Sequence, residues 1–200
     1  MRIKKIVITG GPCAGKTQAL KYIKEYFTPK GVTVLSVPEA ATELISGGIA
    51  PWTCTSKKEY QKYQLILQLQ LEQIFMDAAK AMNQEEVLIV CDRGILDAKA
   101  YITQDEFDEF LAEVGITEEE ALCRYDAVFH LETAAKGQEE AYTLSNNHAR
   151  TETVEEAVLV DDRTQDAWKN HPEWYMIGNE ECFRDKMEKL MMCWNQNWNG

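Results

Sequence analysis

The sequence predicts an α/β fold, a mostly parallel sheet flanked by helices. Three observations carry it. Short β-branched runs alternate with segments of helical spacing; the first run ends in a glycine-rich turn that opens directly into a helix; and Val87 to Cys91 is a continuous apolar run of the kind buried inside parallel sheets.

Taken in order, Lys5 to Thr9 reads as the first strand, and Lys16 to Tyr26 as a helix with Ala19, Leu20, Ile23 and Phe27 at helical spacing. Val32 to Val37 reads as a second strand ending at Pro38-Glu39, and Ala40 to Ile45 as a helix stopped by Gly47-Gly48. One long helix is expected from about Ser56 to Asn83, with Tyr60, Tyr63, Leu67, Leu71, Ile74 and Phe75 on its apolar stripe. Val87 to Cys91 is the third strand, closed by Asp92-Arg93-Gly94. Acidic helices follow over Asp105 to Val114 and Thr117 to Cys123, the second opened by Thr117 with Glu120 three residues on, a capping-box spacing. Tyr125 to Leu131 is a fourth strand, Glu155 to Asn170 a charged helix, Trp174 to Ile177 a short fifth strand and Glu180 to Trp194 a closing amphipathic helix. Residues 135–153 carry Gly, Ser, Asn and charges without a period, the pattern of a mobile segment. With no internal repeat or linker, residues 1–200 read as one domain carrying a lid-like segment at about 135–165.

Composition narrows the function. Lys plus Arg number 21 against 33 Asp plus Glu, a net charge of −12, which opposes the diffuse attraction on which nucleic-acid binding relies. No apolar run approaches the ~18 residues that a membrane span needs. Thr9-Gly10-Gly11 ends the apolar part of the basic N-terminus after three residues, too early for a signal peptide. Six cysteines form no C-x-x-C pair, and three lie inside apolar segments as small buried hydrophobes do, so a reducing cytoplasm is expected. His130, His148 and His171 are too scattered to suggest zinc.

Gly10-Gly11-Pro12-Cys13-Ala14-Gly15-Lys16-Thr17 fits G-x-x-x-x-G-K-[ST] between a strand and a helix, the Walker A context that binds nucleoside triphosphates. A dinucleotide fingerprint is excluded because its middle glycine would fall at Pro12. Phosphate needs many donors and little bulk. Gly10 and Gly15 allow close backbone approach, successive N–H groups wrap the β-phosphate, and the helix N-terminus adds its positive end. Lys16 would reach the β- and γ-phosphates and Thr17 would coordinate Mg²⁺. Gln18, next on the helix, and Asn179, after the fifth strand, join the nucleotide-binding set.

Ligands of open α/β sheets sit beyond the carboxyl ends of the strands, where this chain has Glu39 and Asp92. Asp92 ends an apolar strand in the manner of a Walker B carboxylate holding Mg²⁺; Glu39 would accept a proton from a substrate hydroxyl or join the metal shell. Either could instead be the polar end that any buried strand requires. Arg93 reads equally as a phosphate or substrate ligand or as a salt-bridge partner, and Asp97 lies one turn on. Arg150, in the irregular stretch, suits a lid that delivers positive charge to a transferring phosphoryl group, whereas Arg163 suits that role or a solvated ion pair. Tyr60, Tyr63, Gln64 and Gln68 either line the acceptor site or pack the core.

With these residues on the page, the chain resembles the P-loop domain family that includes the NadR-type ribosylnicotinamide kinase domain and the TRPL translocation defect protein, an AAA-type ATPase-like domain. The likeness runs through Gly10 to Thr17, Val37 to Ala41, Cys91 to Gly94 with Asp97, Asn146-Asn147-x-Ala149-Arg150, Leu159, Asp161-Asp162-Arg163 and Trp168 to Pro172. It implies the P-loop NTPase fold, a nucleoside/nucleotide-kinase-like sheet of five strands in the order 2-3-1-4-5, with Mg-nucleotide binding. The chain also resembles deoxynucleoside kinases, which carry a Glu after the second strand as base and an Asp/Glu-Arg pair after the third, the Arg binding substrate or phosphate; Glu39, Asp92 and Arg93 match. The expected activity is a Mg²⁺-dependent kinase moving the γ-phosphate of ATP or GTP to a small nucleoside-like acceptor. The alternative is a nucleotide-dependent switch or slow NTPase acting on a protein or lipid partner.

Overall fold

The computed structural model describes residues 1–137 and 153–197. Five parallel strands form one sheet in the order β2-β3-β1-β4-β5: β1 (Arg2–Thr9), β2 (Thr33–Val37), β3 (Glu86–Asp92), β4 (Ala127–Leu131) and β5 (Trp174–Ile177). This is the order that the P-loop resemblance implies. The helices are α1 (Lys16–Phe27), α2 (Ala40–Ser46), α3 (Lys57–Ala81), α4 (Gln104–Val114), α5 (Glu118–Leu122), α6 (Val154–Trp168) and α7 (Phe183–Asn197), with short 3₁₀ turns at Thr28–Lys30 and Ile95–Ala100. None among the described residues is long and apolar enough to cross a membrane.

The period of two along each strand sorts the core into two layers. Ile6 and Ile8, Leu88 and Val90, and Ala127, Phe129 and Leu131 pack with α1 and α7; Val7, Val87, Ile89, Cys91 and Val128 pack on the other face, with Leu65 of α3, Phe107 of α4 and Trp168 of α6. The same alternation sends the polar ends to opposite sides. Asp92 follows Leu88 and Val90 toward α1, whereas Lys5 and Thr9 follow Val7 toward α3 and α6.

Several expected boundaries move. The third strand runs one residue further, to Asp92, so its carboxylate is held by the sheet; Tyr125 and Asp126 stand outside β4; and α7 begins at Phe183 rather than Glu180. Of the cysteines only Cys91 is buried, and all six are free. The larger correction concerns α3. Tyr63 and Ile74, placed on the apolar stripe by spacing, are 44% and 58% exposed, whereas Gln61, Gln68 and Glu72 are buried. Tyr60, Leu71 and Phe75 of the stripe do face the core, and polar partners beneath the helix, described below, draw Gln68 and Glu72 in beside them.

Gly94, just past β3, has an ordinary extended backbone, and its constraint is space. A Cβ there would lie 2.8 Å from Cζ2 and 2.9 Å from Cη2 of Trp168, and 3.0 Å from Cγ2 of Val7. Trp168 is fully buried and held through Nε1 by Asp97 at 3.0 Å, so the ring has nowhere to retreat. Gly94→Ala should therefore destabilise the protein by about 1–3 kcal/mol. Urea unfolding checks this; an unchanged midpoint would mean that α6 yields.

Candidate functional site

β1 delivers Gly10–Thr17 at the carboxyl edge of the sheet, and α1 starts at Lys16. Gly10 has φ 132°, and a Cβ there would stand 2.0 Å from the Leu131 carbonyl oxygen; Gly15 has φ 87°. Only glycine fits such positions without strain. Cys13 between them also adopts a left-handed backbone, at φ 57°.

The loop is gripped by side chains from elements far apart in the chain. Lys16 Nζ folds back to the Gly10 and Gly11 carbonyls at 2.9 and 2.8 Å. Arg93 Nη1 donates to the Gly10 carbonyl at 3.2 Å, the Thr133 hydroxyl to that of Pro12, and Lys186 Nζ of α7 to that of Ala14 at 3.2 Å. From the other side, Asp161 of α6 accepts the Gly11 N–H at 2.7 Å.

Arg93 links the strand ends. Its Nε donates to Glu39 Oε1 at 2.7 Å, and Nη1 also reaches Asp97 Oδ1 at 3.2 Å. Its backbone is left-handed, φ 69°, an arrangement that costs a side-chain-bearing residue about 1–3 kcal/mol and persists only where its surroundings over-determine it. Asp97 is saturated, since it also accepts from the Thr9 hydroxyl at 2.6 Å, the Gly94 N–H at 3.0 Å and Trp168 Nε1. Glu39 caps the start of α2, and its Oε2 accepts from Thr42 at 2.7 Å. Burial raises the Glu39 pKa, but Arg93 and Lys16 outweigh it and hold the carboxyl at about 2. Asp92 behaves oppositely. Burial dominates and, with Lys16 only partly opposing, pushes it up to about 6; its Oδ1 is buried with no hydrogen-bond partner among the described residues.

An unpaired buried carboxylate oxygen is costly, and a cation is the partner that would relieve it. Asp92 and the exposed Thr17 hydroxyl are hard oxygen donors of the type Mg²⁺ takes, usually one or two from protein with phosphate and water completing the shell. Both Glu39 oxygens are already engaged by Arg93 and Thr42. No cluster of three or more His, Cys, Asp or Glu suited to a metal forms among the described residues.

The remaining sequence-predicted residues separate. Gln18 is exposed. Asn179 is committed to protein: its Nδ2 donates to the Thr133 and Lys136 carbonyls at 2.8 and 2.9 Å, and its Oδ1 accepts from Lys186 at 3.0 Å. Tyr60 is buried near Glu39, and burial, then Glu39, push its hydroxyl up to about 12. Gln64 is half-buried and Gln68 buried, and Arg163 is exposed on α6. Arg150 lies outside the described residues, as do residues 138–152 of the expected lid; its last part, from Val154, is the packed helix α6.

Three loop-holding residues, Thr133, Lys186 and Asp161, had no site role in the sequence reading. Lys186 is buried and drawn down to about 8 by desolvation. Its one signal is a lysine four residues before Leu190, on the apolar face of α7. Asp161 is wholly buried and also meets His130 Nε2 at 3.1 Å and Lys136 Nζ at 2.7 Å. Burial raises its pKa, but His130, Lys136 and the Gly11 N–H together bring it to about 2.

Asp161 thus predicts a pH dependence. A carboxyl depressed in the folded state stabilises it fully above its unfolded value of about 4 and loses that contribution as pH falls toward 2. Wild type should exceed Asp161→Asn in unfolding free energy by about 1–3 kcal/mol at neutral pH, and the gap should narrow between about pH 4 and 2. Denaturant titration of both proteins from pH 7 to 2.5 checks this; a gap independent of pH would deny the charge its role.

Among solved structures, the chain is similar to deoxyadenosine kinase from M. mycoides with bound dATP, at a TM-score of 0.62 and 16% identity, over 96% of this chain and 99% of that one. At that identity the likeness is one of fold. No curated protein matches the sequence. Residues 5–184 match a family described as AAA domain. Because that match takes in the Gly10–Thr17 loop and all of the sheet from Lys5 onward, the chain belongs to this AAA domain family, in a P-loop fold of the nucleoside-kinase type.

Proposed function

We propose that this protein is a phosphotransferase that moves the γ-phosphoryl group of Mg²⁺-bound ATP or GTP to a hydroxyl of a small, nucleoside-like acceptor. The observation that carries this reading is the Glu39–Arg93 ion pair at the ends of β2 and β3, beside Lys16 of the loop and the unpartnered Asp92 oxygen. The likeness to the NadR-type ribosylnicotinamide kinase domain and to TRPL rests on the same motifs, and the deoxyadenosine kinase of similar fold was seen with dATP. Six free cysteines support a reducing, cytoplasmic setting.

The roles follow from chemistry. Backbone N–H groups of the loop from Cys13 to Thr17 and the positive end of α1 receive the phosphates, since Pro12 has no N–H and that of Gly11 is held by Asp161, with Gln18 and Asn179 at the margins of the nucleotide site. Lys16 exchanges its two loop carbonyls for phosphate oxygens. Thr17 and Asp92 would hold Mg²⁺, which offsets the charge of the phosphates. Glu39, kept ionised by Arg93, orients the acceptor hydroxyl and takes its proton late, once bonding to phosphorus has made that oxygen acidic. Arg93 keeps Glu39 in place. Arg150 is assigned the lid role of bringing positive charge to the transferring group and excluding water.

Mass spectrometry of products from MgATP or MgGTP across nucleosides, deoxynucleosides and related alcohols tests the reading. A phosphorylated acceptor is expected; diphosphate and inorganic phosphate with every candidate would favour a hydrolase instead. By calorimetry Lys16→Ala should lose most of its triphosphate affinity. Glu39→Gln should bind nucleotide within a few-fold of wild type yet transfer phosphate about 10²–10⁴ times more slowly, and Asp92→Asn should need more Mg²⁺. Full turnover in Glu39→Gln would return that residue to a structural role.

A further inference from the structure

Glu72 of α3 is the most deeply buried acid with no part in the chemistry above. It is fully buried, and Lys5 Nζ at 2.9 Å and Arg124 Nη2 at 3.3 Å hold its Oε2. Its Oε1 accepts from the Tyr125 hydroxyl at 2.6 Å and Gln68 Nε2 at 3.0 Å. Those two side chains continue to one place. Gln68 Nε2 also donates to the Arg93 carbonyl at 3.2 Å, and the Tyr125 oxygen accepts the Ile95 N–H at 3.0 Å.

We propose that Glu72 is a positioning residue for the proposed phosphoryl transfer, holding the Arg93-Gly94-Ile95 turn through Gln68 and Tyr125 so that Arg93 stays on Glu39. Proton polarity makes the link directional. A carboxylate only accepts, so Tyr125 must donate to it and present a lone pair to Ile95, and Gln68 must spend one N–H on Glu72 and the other on Arg93. The turn receives two fixed bonds of fixed sense, and with the Arg93 N–H to Ile8 carbonyl bond at 3.1 Å these define its left-handed backbone. Without them Arg93 can relax into extended backbone and leave the face where Glu39 lies.

The inference rests on Glu39 and Arg93 being at the reacting centre, so the test separates the two claims. Glu72→Gln would strand two buried cations and can fail by unfolding, so the variants are Gln68→Met and Tyr125→Phe, which keep the Glu72 charge; Phe110→Leu on α4 serves as a destabilised control. The first readout is the exchange rate of the Arg93 Nε proton with water, followed by NMR. It should rise at least about tenfold in Gln68→Met and Tyr125→Phe and stay at the wild-type rate in Phe110→Leu. On the acceptor identified by the panel, kcat should fall at least about tenfold in the two variants while calorimetric affinity for a non-hydrolysable MgATP analogue stays within about threefold. Wild-type exchange in both variants overturns the inference whatever the activity, and faster exchange with unchanged kcat overturns its catalytic half. Phosphoryl transfer to no acceptor by wild type, with exchange faster in the variants, overturns the proposed function while the grip on Arg93 stands.

Discussion

The guanidinium of Arg93 closes the gap between the carboxyl ends of three strands, meeting Glu39 after β2, the Gly10 carbonyl after β1 and Asp97 after its own strand. In a continued strand Arg93 would follow Cys91 onto the face of α3 and α6, because side chains alternate. The left-handed residue breaks that alternation. Without the guanidinium, the carboxylates of Glu39 and Asp97 would stand near Asp92 with Lys16 as the nearby cation, and their mutual repulsion would be far less offset. The geometry of the edge therefore depends on one strained residue whose strain is offset by what it neutralises.

The loop is built on a related principle. Its Gly10, Gly11, Pro12 and Ala14 carbonyls accept from Lys16, Arg93, Thr133 and Lys186, so their oxygens are drawn toward protein donors. A peptide whose C=O is held on one side turns its N–H to the other; Pro12 has no N–H and the Gly11 N–H goes to Asp161, so the peptides that can face an anion in this way are those after Pro12 and Ala14. This arrangement reconciles a net charge of −12 with a phosphate-binding motif. The cations are few and buried against carbonyls, so the local field at the loop is set by neighbours within a few ångströms while the surface acids are screened by water.

Much of this was legible in the sequence because it is local. The motif at 10–17, the β-branched strands and Asp92 at the end of an apolar run are contiguous patterns, and the strand order came with the resemblance that those motifs carry. What was not legible depends on the tertiary fold. Asp161 and Gly11 are 150 residues apart, and Lys186 and Ala14 are 172 apart, so no spacing rule joins them. Asn179 is expected in the nucleotide-binding set, and spacing could not reveal that its amide is spent on Thr133, Lys136 and Lys186. The sharpest discrepancy is α3, where the expected stripe holds for Tyr60, Leu71 and Phe75 but its members Tyr63 and Ile74 are turned outward.

That rotation shows what the buried ion pair contributes. Turning α3 to cover Tyr63 and Ile74 would bury those two side chains but turn Leu65, Leu69, Leu71, Phe75 and Met76 away from the core, so apolar burial does not favour it. The observed rotation instead buries Glu72 against Lys5, and taking each charge out of water costs several kcal/mol, which their attraction recovers only with further hydrogen bonds. Arg124, Tyr125 and Gln68 supply those bonds, so the pair approaches balance without driving folding by itself. Its effect is on specificity. In the rolled helix Glu72 would leave Lys5 buried and unpaired, a penalty added to the loss of apolar packing. The charge thus excludes the alternative rotation and brings Gln68 under the Arg93 carbonyl, which makes the orientation of a 25-residue helix and the strained turn beside the phosphate-binding loop one constraint.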